Sequence, residues 1–149
     1  MILKSAILND LALADVKVLD LGDSIACTYC TRLFADYGAD VIKIEVPRYG
    51  DPTRNMGPFP GDLPDPEVSG LFIHLNGNKR GVTLDITTPS GGRIFRDLVK
   101  RSDIVVEGFD PGYLAEIGFS DETLREFNPG LVHTAITPFG QTGPYSGYK

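Results

Sequence analysis

Tryptophan is absent from this chain, cysteine and histidine occur only twice each, and no apolar run is long. A helix that crosses a bilayer needs about 20 predominantly apolar residues, so we expect no membrane-spanning segment. The first 15 residues also lack the basic start, long apolar centre and cleavage site of a secretory signal. These absences predict a cytoplasmic protein.

Positive charge is scarce as well. The 14 lysines and arginines are outnumbered by 20 acidic residues, so the net charge is -6. A nucleic-acid-binding protein needs a basic face to neutralise phosphates, and we therefore expect no nucleic-acid partner. The charge balance still permits one anionic small molecule, because local charge decides its binding. Basic residues do cluster, at Arg48 and Arg54 and again at Lys79 and Arg80.

The small number of histidines and cysteines argues against a metal site. A structural zinc ion needs four ligands with paired spacing, and His74 and His133 form no such pair. Cys27 and Cys30 do form a C-x-x-C motif where a strand gives way to a helix. They are either a redox pair at a helix N-terminus or two small thiols that pack the helix against a sheet. We favour packing.

Familiar catalytic and cofactor motifs are missing too. Only Gly22 follows the first strand, so the G-x-G-x-x-G pattern of dinucleotide-binding proteins is absent. No G-x-S-x-G elbow or Ser–His–Asp spacing occurs. His133 lies in an apolar strand, which predicts a packed core histidine. The residues themselves thus indicate a small-molecule-binding domain without an identifiable catalyst.

What the chain does contain is a regular alternation of strands and helices. Strands are predicted over 17–21, 41–46, 82–86, 103–107 and 131–137, and helices over 28–37, 91–101, 113–117 and 120–127. Residues 1–15 form a lead-in with one or two helical turns around 7–13. Residues 47–70 hold six prolines and four glycines, which predicts a long loop. The pattern is typical of an α/β fold with an open parallel sheet, whose ligands sit outside the carboxyl ends of the strands.

Five segments of this pattern, in order and with matching spacing, resemble the class III CoA-transferases. This family includes formyl-CoA transferase, carnitine CoA-transferase and α-methylacyl-CoA racemase. The segments are KVLDLG, CTRLFADYGADVIKIEVPRYGDPTR, NGNKRGVTLDI, DIVVEGFDPGYLAEIGF and NPGLVHTAITPFGQTGPYSG. The resemblance covers about residue 14 to the end of the sequence.

The resemblance implies that residues 16–149 are the N-terminal, Rossmann-like CoA-binding portion of a longer large domain. Members of the family move CoA between an acyl-CoA and a carboxylic acid, and they form interlocked homodimers. CoA is a substrate, and no permanently bound cofactor is implied. The nucleophile of the family is an aspartate that would lie beyond residue 149, so no catalytic residue is expected in this chain. A carboxylate suits the reaction, because its attack on a thioester yields a reactive mixed anhydride.

The resemblance also implies which residues contact CoA, at the carboxyl ends of strands one, three and four. Arg48, with Arg54, Lys79 and Arg80, would replace cations that other members hold elsewhere for the phosphates. The implied contacts are Ile25, Ala26, Arg48, Leu84, Asp85, Thr87, Gly108, Phe109, Asp110 and Lys149.

Three alternatives stay open beside a transferase. One is an acyl-CoA racemase of the same family, and another is a non-catalytic module that binds CoA or a nucleotide. The third is a thiol redox domain that uses Cys27 and Cys30.

Overall fold

A computed structural model of the chain describes residues 11–148. It contains one five-stranded sheet in which every strand pairs in parallel, in the order β3-β2-β1-β4-β5. The strands are β1 (Lys17–Leu21), β2 (Asp40–Glu45), β3 (Arg80–Thr83), β4 (Ile104–Glu107) and β5 (Val132–Ala135). The helices are α1 (Ile25–Asp36), α2 (Gly70–Asn76), α3 (Pro89–Val99), α4 (Tyr113–Glu116) and α5 (Asp121–Phe127). The predicted fold class, an α/β fold with an open parallel sheet, is confirmed.

Hydrophobic clusters cover the sheet on both faces. On one face Leu19 and Val105 pack with Phe95 of α3 and Leu124 of α5, all of them fully or almost fully buried. On the other face Val18, Val41 and Val106 pack with residues of α1. Strands covered on both faces read as nearly continuous apolar runs, which explains why β1 could be recognised from its sequence. Asp20 is a buried exception within β1.

Helix α1 begins three residues before its predicted start. The Ser24 side chain caps it by accepting a hydrogen bond from the Cys27 amide at 3.3 Å, as Ser commonly does at helix N-termini. The helix stops where predicted, because Gly38 adopts a φ of 102° that side-chain-bearing residues rarely accept.

Strand β3 ends earlier than the predicted 82–86. Its register runs from Arg80 to Thr83 against β2. Beyond it Asp85 accepts hydrogen bonds from the Thr87 amide and hydroxyl, at 2.9 and 2.6 Å. This local turn competes with the sheet ladder for backbone groups, so the strand cannot continue. Turns of this kind are hard to place from an apolar pattern alone.

The loop after β2 contains one helix that the sequence did not predict. Helix α2 is capped by Ser69, whose hydroxyl accepts from the Phe72 amide at 3.1 Å. The single hydrogen of the same hydroxyl is shared between the carbonyls of Thr53 and Met56, which ties the loop to the start of the helix. Between β2 and this helix the structure has only two short 3₁₀ helices, over Pro52–Asn55 and Pro60–Asp62. The prediction of a long irregular segment there is therefore largely right.

The division into a lead-in over 1–15 and a domain over 16–149 stays a prediction, since part of the lead-in lies outside the described residues. Residues 11–15 form turns. In the portion that the structure describes, no helix is long and apolar enough to cross a bilayer.

Candidate functional site

The strand order creates a crevice at one edge of the sheet. From β1 the chain proceeds to β2 and β3 on one side, and it returns through β4 to β5 on the other side. Such a switch point leaves a crevice outside the carboxyl ends of the two central strands, where ligands of open α/β sheets bind. A cleft of about 730 Å³ occupies this place. It is lined by Ser24, Ala26, Gly108, Phe109, Asp110, Pro111, Ile136, Thr137, Pro138, Ser146, Gly147 and Tyr148.

A second, smaller cavity of about 290 Å³ lies at the carboxyl ends of β1 and β2. Its wall includes Leu84 and Ile86 from the turn after β3, and Phe109 from the turn after β4. Phe109 lines both spaces, so the two cavities adjoin at this ring.

The residues expected to contact CoA do not all lie together. The large cleft brings together Ala26, Gly108, Phe109 and Asp110, and the smaller cavity adds Leu84. Ile25 is the first residue of α1 beside the cleft, with 51% of its surface exposed.

Asp85, Thr87 and Arg48 are not among the residues that line this cleft. Asp85 and Thr87 bond to each other in the turn before α3. Arg48 lines a separate cavity of about 450 Å³ beside Arg54. Lys149 lies outside the described residues, and all these CoA contacts stay predictions.

Two glycines allow the strand turns to approach α1 closely. A Cβ atom at Gly22 would lie 2.3 Å from the Cβ of Cys27, and one at Gly108 would lie 2.6 Å from its Sγ. Non-bonded atoms do not approach this closely, so only glycine lets β1 and β4 end against the first turn of α1. Single glycines outside a G-x-G-x-x-G pattern gave no sequence signal for this contact.

The cysteines behave as packing residues. Cys27 is fully buried, and its thiol donates to the Glu107 carbonyl at 3.3 Å. Burial raises the pKa of both the Cys27 and Cys30 thiols. A reactive cysteine needs a lowered pKa, so the structure favours the packing interpretation over a redox pair.

If the two cysteines are packing residues, their thiols should react slowly in the folded chain. In the native chain at pH 7, we expect Cys27 and Cys30 to react with a disulfide reagent at least about tenfold more slowly than a free cysteine. The reason is that a raised pKa leaves little thiolate, and burial restricts access. The rate should increase as the pH rises, and unfolding in urea should restore full reactivity. Fast reaction of the native protein at pH 7 would support the redox alternative.

A buried, charge-balanced network lies behind the cleft. Lys79 Nζ is 2.8 Å from Asp20 Oδ2, and Lys43 Nζ is 2.6 Å from Asp51 Oδ2. All four side chains are 3% exposed or less. Lys43 also donates to the Gly22 carbonyl, which ties the network to the turn that follows β1. Each buried charge thus has an opposite charge beside it, which offsets part of the cost of removing it from water.

This network corrects the expectation that Lys79 helps to hold phosphates. Its ammonium donates to Asp20, to the Thr28 carbonyl and to Asn76, so it has no free hydrogen atom to offer. Burial lowers the pKa of Lys79, while Asp20 acts in the opposite direction. The partner of Lys79 lies 59 residues away in sequence, which is why the spacing of charges could not reveal it.

The three arginines expected to help hold phosphates differ in the ion pairs that they make within the chain. Arg54 makes two hydrogen bonds to Glu45, at 2.7 and 2.9 Å, and it holds the pKa of that carboxyl below its usual range. Arg80 pairs with Asp40, with both side chains largely exposed. Among residues 11–148 the structure shows no ion pair for Arg48. Of the four basic residues expected near the phosphates, it is the one without an ion pair in this part of the chain.

His133 is not the packed core histidine that the sequence predicts. It lies in β5 with its Nδ1 atom 2.5 Å from Asp121 Oδ1. Its Nε2 atom is buried, lies 4.0 Å from Glu107 Oε1 and has no hydrogen-bond partner within the described residues. These three residues are widely separated in sequence, so no motif identifies the group.

Thr137, one of the residues that line the large cleft, has a polar atom left unsatisfied by the described residues. The Thr137 hydroxyl oxygen is buried, and in the described part of the chain it has no hydrogen-bond partner. A buried polar atom without a partner costs about 1–3 kcal/mol.

Comparison with known proteins agrees with this geometry. The model of CoA-transferase family III matches residues 13–149. The chain is 40% identical over 138 residues to the succinate–glutarate CoA-transferase of Agrobacterium fabrum, covering 91% of this chain and 34% of that protein. It is 42% identical over 136 residues to the succinyl-CoA–D-citramalate CoA-transferase of Chloroflexus aurantiacus, covering 89% and 32%.

A solved structure gives the same result for the fold. The crystal structure of a CAIB/BAIF family protein from Brucella suis superposes with a TM-score of 0.83 and 36% sequence identity. The match covers 93% of this chain and 36% of that one. The chain thus spans about a third of the length of the proteins that it matches.

Proposed function

Because this chain belongs to CoA-transferase family III, we propose that it is part of an enzyme that moves CoA between an acyl-CoA and a carboxylic acid. The two relatives compared above are both named as CoA-transferases. CoA would enter as a substrate, with no permanently bound cofactor. A homodimer and a cytoplasmic location belong to the same proposal.

The observation that carries the proposal is the cleft at the switch point of the sheet. Its volume of about 730 Å³ falls within the range of about 300–1,000 Å³ that is usual for ligand sites. Ala26 is exposed on the wall of this cleft, and its small side chain leaves room for a ligand to approach the start of α1. These features support a role in holding CoA.

The chemistry of transfer requires more than this chain's cleft. A carboxylate nucleophile attacks the thioester carbonyl, CoA leaves as a thiolate, and a mixed anhydride forms. In this proposal an aspartate outside residues 1–149 supplies that carboxylate. The thiolate then attacks the aspartyl carbonyl of the anhydride, which releases the first acid and leaves CoA on the aspartate as a thioester. The acceptor acid attacks that thioester to form a second anhydride, and the thiolate attacks its acyl carbonyl, which yields the new acyl-CoA and the free aspartate. The residues of this chain bind and orient CoA throughout.

Calorimetric titration with CoA tests the assigned cleft. We expect Ala26→Leu to weaken CoA binding about tenfold, because an exposed alanine on the cleft wall is replaced by a side chain that fills part of the cleft. Ala12→Leu makes the same exchange at an exposed position outside the cleft, and it should bind CoA as the unchanged chain does.

Two outcomes would contradict the proposal. A folded chain that releases no heat with millimolar CoA does not bind it in the assigned cleft. In an enzyme that includes the missing segment, activity on an acyl-CoA without any acceptor acid would indicate a racemase. A transferase instead requires the acid and yields a second acyl-CoA.

A further inference from the structure

The turn that follows β2 carries Arg48 in a conformation that needs support from the rest of the fold. Arg48 has a φ of 70°, in the left-handed region that side-chain-bearing residues rarely adopt. Gly50 ends the turn with a φ of 64°, and its amide donates to the Val46 carbonyl at 2.9 Å. A residue in this region persists only where its surroundings hold it there. Contacts from outside the turn must therefore keep Arg48 in place.

Glu45, the last residue of β2, supplies such contacts. Its Oε2 atom accepts from the Asp51 amide at 2.9 Å and from Arg54 Nε at 2.7 Å. Its Oε1 atom accepts from Arg54 Nη2 at 2.9 Å. The side chains of Glu45 and Arg54 are only 11% and 22% exposed. Because Glu45 precedes the turn while Asp51 and Arg54 follow it, this one carboxylate closes the loop of residues 46–50.

Arg54 is itself fixed from its other side. Its guanidinium carbon lies 3.7 Å from the centroid of the Phe72 ring in α2, and Nη1 donates to the Pro66 carbonyl at 3.4 Å. A planar guanidinium can stack on a ring and bind a carboxylate through two hydrogen bonds at once. Arg54 thus anchors the Glu45 carboxylate to helix α2 and to the loop before it.

The turn that Glu45 closes borders two of the cavities. The Arg48 cavity of about 450 Å³ and the smaller cavity of about 290 Å³ share four wall residues, which include Glu45 and Tyr49. The smaller cavity in turn adjoins the large cleft at Phe109. A long ligand that is seated in the cleft can therefore extend towards Arg48.

We propose that Glu45 is a positioning residue for CoA: by joining the Asp51 amide to Arg54, it holds the turn in the shape that presents Arg48 to a CoA phosphate. Arg48 makes the contact with the phosphate, and Glu45 acts through it. A loose turn would have to become ordered on binding, which lowers the affinity. This inference rests on the proposed function and deepens it, because it states how the chain prepares a cation for the phosphate.

The loss of Glu45 distinguishes positioning from simple charge attraction. Glu45→Met removes a negative charge beside the cavity that would take an anion, and it releases Arg54 from its ion pair. Charge attraction alone would then make CoA bind more tightly. Positioning has the opposite sign, because methionine offers no carboxylate to the Asp51 amide or to Arg54. We expect about fivefold weaker binding, which corresponds to the loss of one hydrogen bond.

Calorimetric titration with CoA of both single variants and the double variant tests whether Glu45 acts through Arg48. Arg48→Met should weaken binding about tenfold, as expected for one hydrogen bond between charged groups. In that background Glu45→Met should change the affinity by less than about twofold, since the residue that it positions is gone. Glu126→Met removes the same charge from an exposed position on α5 that lines none of the three cavities, and it should bind CoA as the unchanged chain does. Tighter or unchanged binding by Glu45→Met, or an equal loss in both backgrounds, would overturn the proposal.

Hydrogen exchange of the ligand-free chain tests the bridge itself. In Glu45→Met the amides of Gly50 and Asp51 should exchange about fivefold faster, since Asp51 loses its acceptor and Gly50 lies in the released turn. Glu45→Asp keeps the charge on a shorter side chain, so it should cause both effects to a smaller degree, and it replaces Glu45→Met if that variant does not fold. Unchanged exchange in a folded variant would show that Glu45 does not hold the turn. Exchange needs no CoA, so a failure of the proposed function, seen as no CoA binding by the unchanged chain, is distinguishable from a failure of the bridge.

Discussion

Lys79→Met is expected to lower the free energy of unfolding by about 3–5 kcal/mol, the usual cost of removing one partner from a buried ion pair. Methionine matches the length of the lysine stem but leaves the Asp20 carboxylate, which is fully buried, without its ammonium partner at 2.8 Å. Lys43 lies 3.8 Å from the other oxygen of Asp20 and cannot replace that contact fully. Urea-induced unfolding followed by circular dichroism measures the loss.

The adjacent arginine provides the matched control. Arg80→Met removes an ion pair with Asp40 in which the side chains are 65% and 44% exposed, so it should cost no more than about 1 kcal/mol. The double variant Asp20→Asn with Lys79→Met should be less destabilised than Lys79→Met alone, because Asp20 is no longer a buried carboxylate without its lysine partner, while Lys43 still pairs with Asp51. Equal losses for Lys79→Met and Arg80→Met would show that the network does not carry the stability assigned to it.

Gly91→Ala is expected to destabilise the chain by about 3 kcal/mol, at the upper end of the cost of overpacking. A Cβ atom at Gly91 in the first turn of α3 would lie 1.8 Å from the Asp85 carbonyl oxygen. The carbonyl that the new Cβ atom would meet belongs to the backbone, so it cannot move aside as the end of a flexible side chain could. The turn before α3, which carries two of the expected CoA contacts, would have to shift.

Gly92→Ala tests the same exchange one residue later. There a new Cβ atom would meet its nearest neighbours at 3.4 and 3.5 Å, which are ordinary contacts. Alanine is favoured over glycine inside a helix, so a gain of about 0.5–1 kcal/mol is expected. Thermal unfolding of both variants gives the comparison. A Gly91→Ala variant as stable as Gly92→Ala would show that the helix does not pack this closely on the turn.

The elements and their order could be predicted because their signals are local. Apolar runs identify the five strands, and Gly38 ends α1 where expected. Helix α2 was missed because its cap residue, Ser69, is held in place by contacts with the Thr53 and Met56 carbonyls. Those contacts exist only after the loop has folded.

The location of the candidate site could be predicted from the topology of the sheet, but the cavity that each residue lines could not. In a parallel sheet the carboxyl ends of the strands meet at one edge, so turns that are distant in sequence can be placed together. Ala26 and Phe109 reach the same cleft by this rule. The pattern does not say which cavity each side chain enters, and Arg48 lies in another one.

The sequence by itself determined the fold class, the edge of the sheet where a ligand site lies, and the family resemblance. Only the tertiary structure decided which charges are buried. Lys79 and Arg80 are neighbours with the same charge, yet one is enclosed with Asp20 and the other lies in solvent. The Glu45–Arg54 pair, with the Asp51 amide that joins it, is likewise visible only in three dimensions. The physical reason is that the state of a charge depends on burial and on partners from distant parts of the chain, whereas a strand or helix follows from its own neighbouring residues.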